Sequence, residues 1–440
     1  MIGNSAPAYE ATPVDTDKKT GRGKLTAASM VGTTLEWYDF TIYNTLAALV
    51  FGKLFFPSVD PLAGIALAFS TYAVGYVSRP LGGLVLGHLG DRLGRRAVLV
   101  ITLILMGITT GVMGLLPTYA AIGMWSPVLL VSLRFMQGVA LGGEWAGAVL
   151  ISVEHGDQSK RGLNASWTQM GPGLGMLTAT GVIAATTALL SPADFLDWGW
   201  RIPFPLSLLI VVFGLWVRRD VKETPMFDEL SKSESRAKTP VAEVFRHHWR
   251  RLLVAGGARM GVGVLYALVV VFTLTYVTTK LNLPRGLALV AIMIGTACNA
   301  ISVPLFGALS DRIGRRPVYA GGAIAAMVWS FVFFRLLDSS HPVLIVLAVI
   351  VGLVIHASMY GPQAAFVTEQ FPTRVRYAGT SVAYTLSGVV SDGFAPLIIV
   401  SLFRATQGTG AISLYVCITM AITLVALLFA RETAKLPLEN

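Results

Sequence analysis

Charged side chains are scarce in this chain. They make up 13% of its 440 residues, against about 25% in soluble globular domains, too few to coat a globule of this size. Cysteine is nearly absent as well. Cys298 and Cys417 both fall inside apolar runs, which leaves no disulfide framework and no Cys/His cluster with zinc-ligand spacing; they read as small buried apolar residues. The first 25 residues lack an apolar core segment, so no cleavable signal peptide is expected. Soluble basic faces are missing too. The formal charge is +10, yet Lys and Arg sit in short loops between apolar runs, which argues against nucleic acid as a partner. The hydrophobic fraction of 54% excludes a disordered chain. What remains is an all-α polytopic membrane protein.

A spanning helix needs roughly 20 apolar residues, and twelve runs qualify. They are centred in 26–50, 63–87, 97–116, 127–150, 163–188, 203–218, 252–279, 287–308, 317–335, 343–366, 378–401 and 409–430. An even number puts both termini on one side. Of the 34 Lys and Arg, 25 fall on the side of the termini. Only Lys53, Arg201, Lys280, Arg285, Arg335 and Arg404 fall opposite, and Arg79, Arg134 and Arg259 lie within the runs. By the positive-inside rule both termini are cytoplasmic. The expected organisation is a tail (1–25), a six-helix bundle (26–218), a charged linker (219–251), a second six-helix bundle (252–430) and a tail (431–440).

The two halves repeat. The stretch Gly87-His-Leu-Gly-Asp-Arg-Leu-Gly-Arg-Arg96 recurs as Gly307-Ala-Leu-Ser-Asp-Arg-Ile-Gly-Arg-Arg316. Glu154 and Arg161 after the fourth run are echoed by Glu369 and Arg376 after the tenth, and Lys222-Glu223-Thr224 by Arg431-Glu432-Thr433. Three repeated junctions signify duplication, which in membrane proteins points to a transporter with its site between the halves.

The duplicated Gly-x-x-x-Asp-Arg-x-Gly-Arg-Arg loop resembles the signature of the major facilitator superfamily. The chain further resembles the metabolite:proton symporters of that superfamily. The resemblance is carried by Glu36-Trp-Tyr-Asp-Phe40, Arg79-Pro-Leu-Gly-Gly83, Arg134-x-x-Gln137-Gly138-x-x-x-Gly142-Gly143-Glu144-Trp145, Trp198-Gly-Trp-Arg-Ile-Pro-Phe204 and Phe371-Pro-Thr-Arg-Val-Arg376. It runs from about residue 25 to residue 433. It implies the twelve-helix, two-bundle fold and carriage of small organic acids such as shikimate, 2-oxoglutarate or citrate, or of zwitterions such as proline and betaine. It also implies that Asp91 and Arg95 belong to a cytoplasmic latch at the ends of the fourth and eleventh runs, with Glu154 and Arg161 as partners, favouring the outward-facing state. Asp311 in the second loop and Arg79 are grouped with these as gating residues.

Ionisable residues inside the runs cost about 2.5–3.5 kcal/mol or more at the bilayer centre and are functional candidates by default. They are Glu36, Asp39, Arg79, Arg134, Glu144, Arg259, His356 and Asp392. Depth allows Asp39 or Glu36 to pair with Arg79 or Arg134, and Glu144 with Arg79. Four carboxylates against three arginines leave one carboxylate over, a place to load and release a proton, so Asp39, Glu36, Glu144 and Asp392 are the proton-coupling candidates. Glu36, Asp39 and Tyr43 share one helical face, and Arg134, Gln137 and Glu144 lie within about 80° of one another on another. Arg259, Asn299, His356, Tyr360, Gln363 and Asp392 could supply a facing wall. Arg offers a planar fork matched to a carboxylate, so Arg134 and Arg259, one from each half, are candidates to hold an anionic substrate with Gln137, Tyr43, Asn299, His356, Tyr360 and Gln363.

The pairs Gly138 with Gly142, Gly143 with Gly147, and Gly171 with Gly175 are spaced to let helices approach closely. Trp125, Trp198 and Trp200 fall at run ends and read as interfacial anchors. The expected protein is a secondary transporter, not an enzyme. It needs no cofactor or metal, works as a monomer in the inner membrane, and takes a small organic acid and protons as partners. A zwitterion symporter is the alternative, against which the short segment after the last run argues, since osmosensing members carry a long coiled-coil tail. Gly171-Pro-x-x-Gly175 only partly resembles the signature of efflux antiporters, the third reading.

Overall fold

The computed structural model describes residues 19–57, 61–219, 223, 224, 226, 227 and 238–438. The tail up to residue 18, the other linker positions (231–236 among them) and the last two residues lie outside the described residues. Among the described residues twelve long helices follow one another. In the first half they are α1 (Lys19–Leu46, continued by a π turn, Ala47–Phe51), α2 (Pro61–Leu93), α3 (Arg95–Leu115), α4 (Trp125–His155), α5 (Arg161–Leu189) and α6 (Pro203–Arg219). In the second half they are α7 (Trp249–Tyr266, continued through π turns to Lys280), α8 (Arg285–Ile313), α9 (Arg315–Asp338), α10 (Pro342–Glu369), α11 (Arg376–Gly388, a π turn Val389–Phe394, then Ala395–Thr406) and α12 (Gly410–Phe429). A short helix, Pro240–His247, precedes α7.

Among the described residues ten helices are long and apolar enough to cross a membrane. The remaining two, α1 and α2, have 28 and 33 residues, long enough at about 1.5 Å per residue. With the backbone hydrogen-bonded within each helix, this is one of the two architectures a bilayer tolerates.

Sequence dictates where the chain breaks. Gly94 between α2 and α3 has φ 109° and ψ 157°, and Gly314 between α8 and α9 has φ 110° and ψ 156°. That region is open essentially to glycine alone, so the same turn is made twice. Packing repeats as well. Within the first half α1 meets α5, α2 meets α4, and α3 meets α6; in the second, α7 meets α11, α8 meets α10, and α9 meets α12. The halves join where α2 lies along α11 and α5 along α8. Glycine permits the close approaches: a Cβ on Gly138 or Gly142 would lie 2.2 Å from the Gly75 carbonyl oxygen or 2.1 Å from that of Arg79 on α2. Gly171 and Gly175 serve α5 against Thr33 and Thr34 of α1 in the same way.

Two sequence expectations need correction here. Trp125 and Trp198 are 69% and 48% exposed, as interfacial residues are, but Trp200 is fully buried among Phe51, Phe55 and Phe204. Its ring closes one end of the first bundle's core and anchors no interface. Cys298 and Cys417, on α8 and α12, are only half-buried, and the Cys417 thiol reaches the Met327 carbonyl of α9 at 3.8 Å.

Candidate transport site and latches

The mid-membrane charges sort into pairs. Glu36 on α1 meets Arg79 on α2 at 3.2 Å. Arg259 on α7 meets Asp392 in the π turn of α11, and its Nη1 donates to Ser391 Oγ at 3.1 Å. Glu144 on α4 does not pair with Arg79, as its depth suggested. Its partner is Arg218 of α6 at 2.5 Å, and Thr102 of α3 donates to its other oxygen. Arg218, the last residue of the sixth run and absent from the charges assigned to run interiors, is 3% exposed and also donates to the Leu99 carbonyl at 2.7 Å. The balance is therefore four carboxylates against four arginines. Its signal was there, since Arg218 closes the sixth apolar run rather than opening the linker.

Asp39 and Arg134 are held differently. Asp39, 3% exposed, accepts from Thr110 Oγ1 of α3 at 2.5 Å and from Gln137 Nε2 of α4 at 3.3 Å. Its second oxygen is buried without a hydrogen-bond partner, and it makes no salt bridge among the described residues. Gln137 turns its carbonyl the other way, to the Arg134 guanidinium, and so stands between the two charges. Arg134 lies 4.2 Å over the Tyr43 ring and 5.0 Å over Phe40. Arg79 shares that Phe40 ring and faces Tyr76 at 4.4 Å. These faces hold cations without neutralising them. Tyr43 itself is hydrogen-bonded to Thr71 of α2.

Of the expected facing wall, Asn299 of α8 and His356 of α10 come together. The Asn299 amide is 3.1 Å from His356 Nδ1 and donates to the Leu353 carbonyl at 2.7 Å. His356 sits between the Tyr266 and Tyr360 rings, and Tyr266 meets Trp37 of α1 edge-on across the two halves. Gln363 is fully buried with both amide atoms lacking partners among the described residues. Arg259 lies 3.9 Å over Tyr384, which stacks on Trp145 of α4 at 3.6 Å. Trp145 donates to Gln169 at 2.7 Å, and Gln169 donates on to the Tyr360 carbonyl at 3.3 Å. Thr110, Tyr266, Tyr384 and Trp145 were not singled out as site residues. A hydroxyl or aromatic in an apolar run carries no periodicity that separates it from packing.

At the end of the bundle that holds the duplicated loops, two latches join the halves. In the first, Asp91 of α2 accepts from the backbone N–H groups of Tyr377 and Ala378, at 3.2 and 2.8 Å, at the start of α11. Arg95 meets Asp91 at 3.4 Å and Glu154 at 3.6 Å, and Glu154 meets Arg376 at 3.1 Å. In the second, Asp311 of α8 accepts from Gly162 and Leu163, at 2.8 and 2.9 Å, at the start of α5. Arg315 meets Asp311 at 2.7 Å and Glu369 at 3.1 Å, and Glu369 meets Arg161 at 2.7 Å. Each aspartate thus caps a helix of the opposite half, where N–H groups and the helix dipole favour negative charge. Two expectations change accordingly. Arg161 belongs to the second latch, because α5 carries it against α8 and α10. Arg79 belongs to neither, being drawn to mid-membrane by Glu36. Glu223 and Glu432 were unforeseen members: each carboxylate accepts from two N–H groups, Arg95 with Arg96 and Arg315 with Arg316, between 2.9 and 3.2 Å.

This doubled architecture matches a known family model, described as Major Facilitator Superfamily, over residues 29–396 and 286–439. The chain belongs to the major facilitator superfamily. It is 37% identical over 429 residues to the inner membrane metabolite transport protein YhjE of Escherichia coli (strain K12), covering 96% of each chain. It is 38% identical over 403 residues to the shikimate transporter of the same organism, covering 90% of this chain and 92% of that one. The proline/betaine transporter of that strain is 34% identical over 431 residues, covering 95% and 85%. These relatives set it among the metabolite:proton symporter-like members. Of solved structures, a proton:xylose symporter, XylE, superposes with a TM-score of 0.73 at 17% identity, covering 94% of this chain and 97% of the other. The protein is a membrane-embedded transporter of small metabolites and not an enzyme.

Proposed function

We propose that the protein imports a small organic acid, shikimate-like or a di- or tricarboxylate, together with protons across the bacterial inner membrane. The cytoplasmic side is the side of the two latches and both termini, and the monomer is the working unit. Access alternates by rocking of the bundle 26–218 against the bundle 252–430, with residues 219–251 as the tether.

The observation that carries this reading is the Asp39–Gln137–Arg134 arrangement. Glu36, Glu144 and Asp392 each have an arginine, so a proton arriving there would have to break an ion pair. Asp39 is held by a hydroxyl and an amide, and a proton on it breaks no direct ion pair among the described residues. Protonation weakens one of the two contacts of the Gln137 amide, the other being the Thr110 hydroxyl at 2.8 Å, and so loosens Gln137 and Arg134 toward a substrate carboxylate. Loading both neutralises the buried charges and lowers the cost of moving them through a closed intermediate. Latches closed on the cytoplasmic side suit a carrier waiting for substrate from outside. Arg259, already paired with Asp392, serves as the second anion contact once the substrate competes for it.

The test is uptake into proteoliposomes of a panel: shikimate, 2-oxoglutarate, citrate, protocatechuate, proline and betaine, with an inward proton gradient that is then collapsed by a protonophore. Accumulation of one acid that disappears with the gradient, and that Asp39→Asn reduces to equilibration, is the expected result. Equal uptake with and without the gradient would make the protein a facilitator. Accumulation of proline or betaine instead would shift it to the zwitterion class, the second reading favoured by the proline/betaine relatives.

A further inference from the structure

Where α7 begins and α12 ends, these two helices and the segment after α12 enclose a cavity of about 740 Å³. Its rim is basic. Arg250 and Arg251 open α7, Arg431 follows α12, and the Arg250 guanidinium lies 5.4 Å over the Trp249 ring. Its wall is apolar and faces outward: Leu253 is 64%, Val425 52% and Phe429 78% exposed. Among the described residues the carboxylate that lines the cavity, Glu369, is already held by Arg161 and Arg315, and Arg251 on the rim donates to the Gln370 carbonyl at 2.9 Å.

We infer that this cavity binds an anionic glycerophospholipid. A phosphodiester fits the arginine fork in charge and geometry. Basic pockets between spanning helices at one membrane face take such head groups. The exposed aliphatic wall runs from the rim toward the hydrocarbon, where an acyl chain lies, and Trp249 marks the interfacial depth. A free anion would use the arginines and leave the wall bare. The floor of the cavity is the second latch, Arg161 and Glu369 with Thr433, so a lipid seated here touches the groups that hold the halves together.

The test uses the full chain, purified and delipidated in an uncharged detergent, with bound lipid counted by native mass spectrometry during titration with phosphatidylglycerol or phosphatidylcholine. Phosphatidylglycerol binds in preference, its binding weakens as salt is raised, and inorganic phosphate at equal concentration does not displace it. The exposed pair Arg250→Gln/Arg431→Gln weakens that binding about 10- to 30-fold, whereas Arg404→Gln at the far end of α11 leaves it unchanged. Equal binding of the two lipids, or salt-independent binding of phosphatidylglycerol by the unaltered chain, overturns the inference without any variant. Displacement by inorganic phosphate overturns the lipid in favour of a free anion. A double variant that binds like Arg404→Gln overturns the site.

Discussion

Asp91 and Asp311 do the same work in opposite directions, each accepting two backbone N–H groups at the start of a helix in the other half. Asp39 and Asp392, both near mid-membrane, share nothing of the kind. One is held by a threonine and a glutamine, the other by an arginine on α7. The loop end of the molecule is therefore nearly two-fold symmetric, down to Gly94 and Gly314 with matching dihedrals, and the middle is not. In the proposed cycle both latches open and close, so a change in one copy unbalances the other. In that proposed cycle the middle handles one proton-bearing group and one solute, and nothing there requires the copies to agree.

The sharpest way to break this comparison is to remove one latch carboxylate. Glu369→Gln leaves Arg161 and Arg315, 2% and 0% exposed, facing a neutral amide. Stripping one partner from a buried pair costs about 3–5 kcal/mol, so the closed arrangement loses about 100-fold or more in population. Spin-label distances between the loop-end tips of α5 and α8, in a chain freed of Cys298 and Cys417, measure the opening. Glu154→Gln, read between α2 and α11, is expected to match it. If only one variant opens its interface, the symmetry is geometric and not energetic.

In the middle the expectation is the reverse, two unlike results. Asp392→Asn leaves Arg259 without its counter-charge. The carboxylate side chain is 21% exposed, so the loss of stability is discounted for screening to about 2 kcal/mol, seen as a lowered unfolding midpoint, while gradient dependence of uptake persists. Asp39→Asn keeps an acceptor for Thr110, changes the midpoint less, and abolishes gradient dependence. Two variants with the same phenotype would mean that the middle is as symmetric as the ends.

The symmetric part was legible in the sequence and the asymmetric part only partly so. Latch residues repeat at fixed spacing, and a repeat is visible without coordinates; Asp91, Arg95, Glu154, Asp311 and Arg161 stood out for that reason. What spacing does not give is which half a side chain reaches. Arg161 follows α4 in sequence yet serves Glu369, because α5 packs on α8 and α10. The intramembrane charges were likewise visible as rare residues in apolar runs, but their partners depend on helix rotation and neighbours. Arg218 shows the cost: as the last residue of its run it reads as a loop-end cation, and the pairing of Glu144 is invisible without it. Thr110 left no mark at all, since threonine hydroxyls in helices most often return to their own backbone, as those of Thr109 and Thr186 do here.

The smallest effect probes the segments after α6 and α12, which both latches recruit. Arg161 donates to the carbonyls of Thr433, Ala434 and Leu436, at 2.7, 3.4 and 2.9 Å, and the Thr433 hydroxyl donates to Glu369. Arg376, its counterpart, donates to the Phe371 carbonyl of its own half at 3.0 Å and reaches the Met226 sulfur after α6 at 3.5 Å, and Thr224 hydrogen-bonds Glu154 as Thr433 does Glu369. The segment after α12 is therefore a working part of the second latch. Thr433→Val removes one hydroxyl and adds no bulk, while Glu369 keeps both arginines. A hydrogen bond to a charged group contributes about 1.5–3 kcal/mol, and the lower end applies because the acceptor stays neutralised. The α5–α8 interface should then open about tenfold more often in the same spin-label measurement, with the α2–α11 distance unmoved. Movement of both distances together would show the two latches opening as one unit, and the tail would then regulate the whole closure through a single hydroxyl.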